Sequence, residues 1–431
     1  MLWRRHYRSA QWSLVILSSL LLGACGSRVT DVPASSDTSK PADTSSPTPD
    51  RVAGSTSTVI GQATAGISPT FHADQALTTT DGSEVIVVGH DHCGSTTCSA
   101  IATSPLSSSL ATTRWQTITL PNIGYQRVHG ATILSNFAFA NDHDGFALYT
   151  RYAHSSIATR LFATTDGGIR WHLIADPPQL SLEATFTSHA LVSLTGNCSD
   201  REGALACSRY ELMRISLSTD QRELNPLPVP TQPYPFLEQP SLAAQGSTVA
   251  VLADPTGPRT AYPRLYLSKH GDAPYADLVR PALVGVTACT LVIRKPALWA
   301  TCPTGMMISD LHAATLTGTF TQFWERSGTF GDDSLAPISA EDAYRLVTNQ
   351  SETSAALQLT TNGGRQFHTV AAVNPPQFAI GGSSLCFVSL RAGFLTVQSF
   401  TGHRLSPTLW GTTTAGQSWT KIFPPPGGQA S

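Results

Sequence analysis

The sequence predicts an all-β fold made of one small strand-and-turn module repeated about seven times. Three observations point there. Thr, Ser, Gly and Pro are plentiful and Glu and Lys scarce, with 33 Gly, 29 Pro and only 13% charged residues in a chain of 431. Such a composition favours strands and turns over helices. A turn of the form Thr-x-Asp-x-Gly-x-x-Trp closes an apolar strand in LFATTDGGIRW and returns twice near the C-terminus. Its copies and weaker echoes come round roughly every fifty residues, the period of a unit that buries its faces only against its neighbours.

The first copy is Thr164, Asp166, Gly168 and Trp171. The second is Thr360, Asn362, Gly364 and Phe367, with Asn for Asp and Phe for Trp. The third keeps Thr412, Gly416 and Trp419 and has lost the acid. Each follows an apolar strand (RLFA, ALQL, TLWG) and leads into another (HLI, HTV, TKI). A tight hairpin explains these residue types. A carboxyl or amide oxygen accepts backbone N–H groups inside the turn. Gly takes the positive φ that other residues avoid. The aromatic folds back under the turn and buries a large apolar area. Trp115, Tyr275 and Phe323 hold the aromatic place in fainter echoes, and Leu212 to Leu224 keeps the strand and turn without one. A second shared shape, strand then short polar turn then strand, runs through Phe137 to Leu148, Ala336 to Val347 and Cys386 to Val397.

The turn resembles the Asp-box, or bacterial neuraminidase repeat, of β-propellers. The second shape is similar to the inner-strand signature of propellers like photosystem II assembly factors. The resemblance implies a β-propeller of four-stranded blades over residues 56–431. Seven blades fit the spacing, with six or eight as alternatives and a pair of β-sandwiches as the rival fold. It also implies that the boxes lie on the outer rim between the third and fourth strands, where Asp166 and Asn362 serve the turn and not a reaction. Closing the ring calls for the first and last blades to join, and Ser57 to Thr64 is expected to pair into the final blade.

The N-terminus stands apart. Arg4, Arg5 and Arg8 precede the apolar run Trp12 to Ala24, which is too short to span a bilayer comfortably. It ends in Leu22-Gly23-Ala24-Cys25, which resembles the bacterial lipobox. That resemblance implies a lipoprotein signal peptide over 1–24, lipidation of Cys25 and a place on the extracytoplasmic face of the cell membrane. An ordinary secretory signal and a twin-arginine signal at Arg4-Arg5 are the alternatives. Residues 25–55 are Ser/Thr/Pro-rich with almost nothing apolar to bury, and read as a disordered tether.

Of the other seven cysteines, six form close pairs, each able to staple a local loop in an oxidising compartment: Cys93 with Cys98, Cys198 with Cys207, and Cys289 with Cys302. Cys386, in the apolar LCFVSL, reads as a buried thiol. A metal site at His90, His92 and Cys93 is the competing reading of GHDHCG, but no further cluster completes a ligand set.

A net charge of −2 argues against a nucleic-acid partner. No Gly-x-Ser-x-Gly elbow, His-Glu-x-x-His helix or phosphate loop is present. Asp-box propellers include sialidases, which need three arginines around one carboxylate and announce the first in a Phe/Tyr-Arg-Ile-Pro motif. The nearest stretch here is Met213-Arg214-Ile215-Ser216, in a blade-like strand after the first clear box. Asp142 and Asp144 in NDHDG read as turn residues. The expectation is therefore a binding or assembly module for a protein or glycan, with no catalytic residue, metal or cofactor. A divergent sialidase-like glycoside hydrolase is the alternative.

Overall fold

The computed structural model describes residues 58–80, 82–106, 115–124, 132–153, 156–174, 180–201, 204–219, 221–228, 240–253, 264–269, 271–272, 274–279, 289–303, 309–315, 321–323, 334–348, 355–373, 384–401 and 404–423. Thirty strands in seven antiparallel sheets make up the secondary structure of these residues.

Two short strands come first, β1 (Thr58–Ile60) and β2 (Gln62–Ala65). Seven blades follow in chain order. Blade 1 is β3 (His72–Thr78), β4 (Glu84–Cys93), β5 (Thr96–Pro105) and β6 (Gln116–Gly124); blade 2 is β7 (Thr132–Phe139), β8 (Gly145–Ala153), β9 (Ser156–Thr164) and β10 (Arg170–Ile174). Blade 3 is β11 (Leu180–Phe186), β12 (Leu191–Arg201), β13 (Ala204–Ile215) and β14 (Arg222–Pro226). Blade 4 is β15 (Ser241–Gln245), β16 (Thr248–Ala253), β17 (Arg264–Lys269) and β18 (Ala276–Val279). Blade 5 is β19 (Thr290–Arg294), β20 (Ala297–Pro303), β21 (Ser309–Thr315) and β22 (Thr321–Phe323). Blade 6 is β23 (Ser334–Pro337), β24 (Asp342–Thr348), β25 (Ala355–Thr361) and β26 (His368–Val373); blade 7 is β27 (Ser384–Phe387), β28 (Gly393–Thr401), β29 (Arg404–Thr412) and β30 (Thr420–Phe423).

The ring follows from alternation along the second strands. Side chains of a strand point to opposite faces in turn, so a strand apolar on both faces packs against two neighbours. In β4, Val85 and Val87 enter a cluster with Phe394 and Leu409 of blade 7, while Ile86 and Val88 enter one with Phe137, Tyr149 and Trp171 of blade 2. In β8, Ala147 and Tyr149 face blade 1, and Phe146 and Leu148 face Leu191 and Met213 of blade 3. In β16, Val249 and Val251 face blade 3, and Ala250 and Leu252 face blade 5. In β20, Leu298 and Ala300 face blade 4, and Trp299 faces Ala343 of blade 6. Tyr344 and Leu346 then meet Phe387, Leu395 and Val397 of blade 7. One core thus lies in each seam between successive blades, and the chain is a β-propeller whose first strands neighbour one another around the axis.

Closure departs from the expectation for Ser57 to Thr64. Ser57 lies outside the described residues, and the rest adds no strand to blade 7, which is complete with its own four. Instead β1 pairs with β10 on the outer edge of blade 2, and β2 pairs with β6 on the outer edge of blade 1. These two sheets therefore have five strands, not four. The seam between blades 7 and 1 is filled by packing: Phe71, with Ile67 beside it, joins Phe394, Leu409, Val388 and Ile422. The physical reason is the shortness of β1 and β2. Three or four residues can cap an exposed sheet edge, whereas the seam is closed by buried apolar area.

Candidate functional site

The ends of the propeller differ. One carries the turns between first and second and between third and fourth strands. The other carries the hairpins between second and third strands and the connections from blade to blade.

At the turn end, the predicted box residues come together locally. In blade 2, buried Thr164 donates from Oγ1 to Asp166 Oδ1 at 2.9 Å and accepts Gly168 N–H at 3.0 Å; Asp166 Oδ1 accepts Arg170 N–H at 2.8 Å, and Trp171 Nε1 donates to Gly168 O at 2.7 Å. Blade 6 repeats this with Thr360, Asn362, Gly364 and Gln366 at 2.9, 3.1 and 3.0 Å, and the Arg345 guanidinium lies 4.0 Å from the Phe367 ring centre. In blade 7, Gly416 N–H reaches Thr412 Oγ1 at 3.0 Å, and Thr414 Oγ1 does the acid's work by accepting Ser418 N–H at 3.0 Å. The echoes also fall between third and fourth strands. Tyr275 Oη donates to Gly271 O at 3.3 Å, as Trp171 does to Gly168 O; Phe323 lies in β22, its side chain outside the described residues.

The second shape proves to be the partner of these turns. Gly167, Gly363 and Ala415 each donate N–H, at 2.9 Å, to His143, Glu341 and Arg391 of the first turn of their own blade. That first turn is capped by a side-chain oxygen: Asn141 accepts His143 and Asp144 N–H, Ser339 accepts Glu341 and Asp342 N–H, and Ser389 accepts Arg391 and Ala392 N–H. Asp144 accepts Asn141 Nδ2–H at 3.0 Å, so it locks the turn as the sequence suggested. Gly145 and Gly393 are required because a Cβ would lie 2.7 Å from the Phe139 and Phe387 rings; blade 6 has Pro337 in place of the Phe and tolerates Ala343.

The third copy carries a strained residue. Gly167 and Gly363 have φ of 72° and 71°, and Ala415 sits at 57° in the same place. A Cβ at left-handed φ costs about 1–2 kcal/mol. Ala415→Gly is expected to raise stability by about 0.5–1 kcal/mol after the added unfolded-chain entropy. Urea unfolding checks this, with Gly167→Ala moving the opposite way.

The hairpin end holds the Cys93–Cys98 staple and a polar cluster. Cys93 and Cys98 form a disulfide, with Cα atoms 5.8 Å apart, across the β4–β5 hairpin. Cys198 and Cys207 stand opposite each other in β12 and β13, their side chains outside the described residues, as is that of Cys302. Cys289 is disulfide-bonded. Cys386 is disulfide-bonded too, which corrects its reading as a thiol; a buried apolar position suits half-cystine and thiol alike, so the surrounding sequence could not separate them. Beside Cys93, the His72 and His90 rings stack at 4.9 Å, His90 Nδ1 lies 3.3 Å from Asp74 Oδ2, and Asp91 Oδ1 accepts from the Thr70 hydroxyl and from His92 N–H. Burial, then the neighbouring His90, holds the His72 imidazole below its ordinary pKa. Cys93 is spent on the disulfide, and among the described residues no group of three or more His, Cys, Asp or Glu side chains is placed to hold a metal.

This end is also uneven. In blades 7, 1, 2 and 3 the second and third strands are separated only by residues 402–403, 94–95, 154–155 and 202–203, as in a tight hairpin. Blades 4, 5 and 6 have the longer spans 254–263, 304–308 and 349–354 there, outside the described residues. In blades 3 and 7, paired ribbons run past the innermost strands, from Asn197 to Arg201 and from Val397 to Thr401. They flank blades 1 and 2 around the ring, with the His72 cluster between them.

Three strand arginines, Arg214, Arg294 and Arg345, are held by polar contacts within the blades and seams. Arg214 lies 3.4 Å from Asp272 and 3.8 Å from Glu223. Arg294 is buried and donates Nε–H to Pro337 O at 2.9 Å, burial lowering its pKa to about 10, still cationic at neutral pH. Arg345 donates Nε–H to Gln358 Oε1 at 2.7 Å.

No protein-family model matches the chain, and no curated protein matches it. Solved structures do. The β-propeller domain of the trilobed protease from Pyrococcus furiosus, described as having an open velcro topology, is 10% identical with a TM-score of 0.47, over 83% of this chain and 97% of that one. The BP39L lectin from Burkholderia pseudomallei is 10% identical with a TM-score of 0.48, over 84% and 98%. The phage phi92 endosialidase is 11% identical with a TM-score of 0.42, over 83% and 69%. Propellers of binding and of hydrolytic proteins thus both stand among the similar structures, and the similarity is one of fold.

Proposed function

We propose that the chain is a lipid-anchored, extracytoplasmic propeller that binds a protein or glycan at its hairpin end without catalysing a reaction. The observation that carries this reading is the polar cluster of His72, Asp74, His90 and Asp91 beside the Cys93–Cys98 staple, set between the paired ribbons of blades 3 and 7. Loops and hairpin tips on a rigid scaffold are where propellers and other β folds place recognition. The box turns belong to the opposite end and satisfy each other's hydrogen bonds, which supports a structural role for them.

The anchor rests on the sequence. The segment 1–57 lies outside the described residues, and the chain enters the propeller at Thr58 on the outer edge of blade 2.

Two measurements test the reading. Cells expressing the full chain and given an alkyne fatty acid should label it, and Cys25→Ser should remove the label; labelling that persists in Cys25→Ser rejects the anchor. Purified full chain should bind members of a glycan panel or crosslink to a defined membrane protein, with loss of at least tenfold in affinity on Asp74→Ala. Turnover of sialosides would instead move the assignment to the hydrolase reading.

A further inference from the structure

We infer that Glu183 is a proton-operated clasp between blades 3 and 4, joining the seam at the channel wall while its carboxyl is neutral and loosening it on ionisation. The first strand of each blade is a sheet edge, with N–H and C=O groups on its outer side that no ladder satisfies. Three first strands carry a bulge at corresponding places, between Ala73 and Gln75 in β3, Leu134 and Asn136 in β7, and Ser181 and Glu183 in β11. A bulge re-aims the residue that follows it. Gln75, Asn136 and Glu183 therefore occupy one position in three consecutive blades. Asn136 uses it to bridge a seam, donating Nδ2–H to Ala184 O of blade 3 at 3.1 Å. Glu183 does the same one blade on, its Oε2 accepting the N–H of Leu242 in β15. Two of the three residues are amides, neutral at every pH of interest, and the third is an acid in an amide's place.

Among the described residues, its surroundings offer no charge to offset ionisation. The neighbouring first strands β7 and β15 contain no ionisable residue. From blade 2, Tyr149 of β8 is turned into the core shared with blade 1, and Arg160 of β9 is exposed. Asp200 and Arg201 of β12 lie at the far end of its ribbon. No described cation pairs with Glu183. It keeps some surface toward the channel yet lies deep in protein, and burial pushes its carboxyl up to about 8, the Leu242 N–H pulling the other way only in part. Ionising a carboxyl there costs desolvation that one backbone hydrogen bond cannot return.

The direction of the effect follows from linkage. The folded carboxyl binds its proton more tightly than the unfolded one, whose ordinary value is 4.5. Its stabilisation is fully present below 4.5 and is lost as pH rises toward about 8. Glu183→Gln keeps a neutral acceptor for Leu242 N–H and removes the proton. In urea unfolding of the full chain, the wild-type unfolding constant relative to the variant's should rise at least tenfold between pH 5 and pH 9, with the variant the more stable at pH 9. A ratio that stays constant with pH overturns the inference. Amide hydrogen exchange on the wild type gives a second test. The protection factor of Leu242, already corrected for intrinsic pH dependence, should fall between pH 5 and about 8 and level off above that, and a flat profile between pH 5 and 8 overturns it as well.

Discussion

Gly89→Ala is expected to cost about 3 kcal/mol or more, seen as a fall in the urea midpoint with little change in slope. Gly89 is buried in β4 opposite Ala73, where the bulge in β3 drives the His72 carbonyl across the strand. An added Cβ would lie 1.8 Å from His72 O and 2.8 Å from His72 C. Both are backbone atoms, so no side-chain rotation relieves the overlap. The bulge must straighten or the two strands must part, and either change moves His72 off His90. The same variant should therefore weaken any ligand that depends on the hairpin-end cluster. A loss below about 1 kcal/mol would mean that β3 shifts freely, and that the His72–His90 stack is not held by the backbone.

The second large effect is at Trp171. It is fully buried, meets Phe139 edge-on at 5.9 Å, and packs with Leu77, Ile86 and Ile101 of blade 1. Trp171→Ala should cost about 3–5 kcal/mol through lost burial and the cavity left behind. A milder pair of changes separates packing from hydrogen bonding. Trp171→Phe strands the Gly168 carbonyl that accepts Nε1–H at 2.7 Å, and should cost about 1–3 kcal/mol beyond lost area. Trp419 meets Phe387 in the same edge-on way at 6.3 Å, but its buried Nε1 has no partner among the described residues. Trp419→Phe should thus be the cheaper substitution by about 1 kcal/mol or more. Thermal unfolding of the two variants side by side gives the order, and equal losses would show that the turn hydrogen bond in blade 2 contributes nothing of its own.

These predictions share a cause. The two box turns differ by residues that the sequence displays openly, Asp166 against Thr414 and Gly167 against Ala415, and the geometry shows the consequence of each. Thr414 accepts the Ser418 N–H as Asp166 accepts the Arg170 N–H, so the turn survives loss of the acid. Ala415 keeps the positive φ of Gly167, so strain remains where the glycine was lost.

The sequence by itself determined the repeating module. Local chemistry specifies it: Thr164, Asp166, Gly168 and Trp171 satisfy one another within eight residues, so their pattern survives as text even in worn copies. The roughly fifty-residue spacing placed the third-to-fourth strand turns, because each blade needs the same length of chain to cross its sheet four times. What only the tertiary structure decided depends on partners far apart in the chain. Ser57 to Thr64 looked like a closing strand, and the pairing of its described residues with blades 2 and 1 was settled by which sheet edges they meet, about 110 and about 55 residues later respectively. Cys386 looked like any buried apolar residue until a distant sulfur claimed it. His72, Asp74 and His90 became a cluster because β3 and β4 pair with a bulge, and Glu183 acquired its unusual environment because blade 4 covers it. Patterns satisfied by neighbours in sequence are legible there, whereas burial and charge are set by whatever the ring brings alongside.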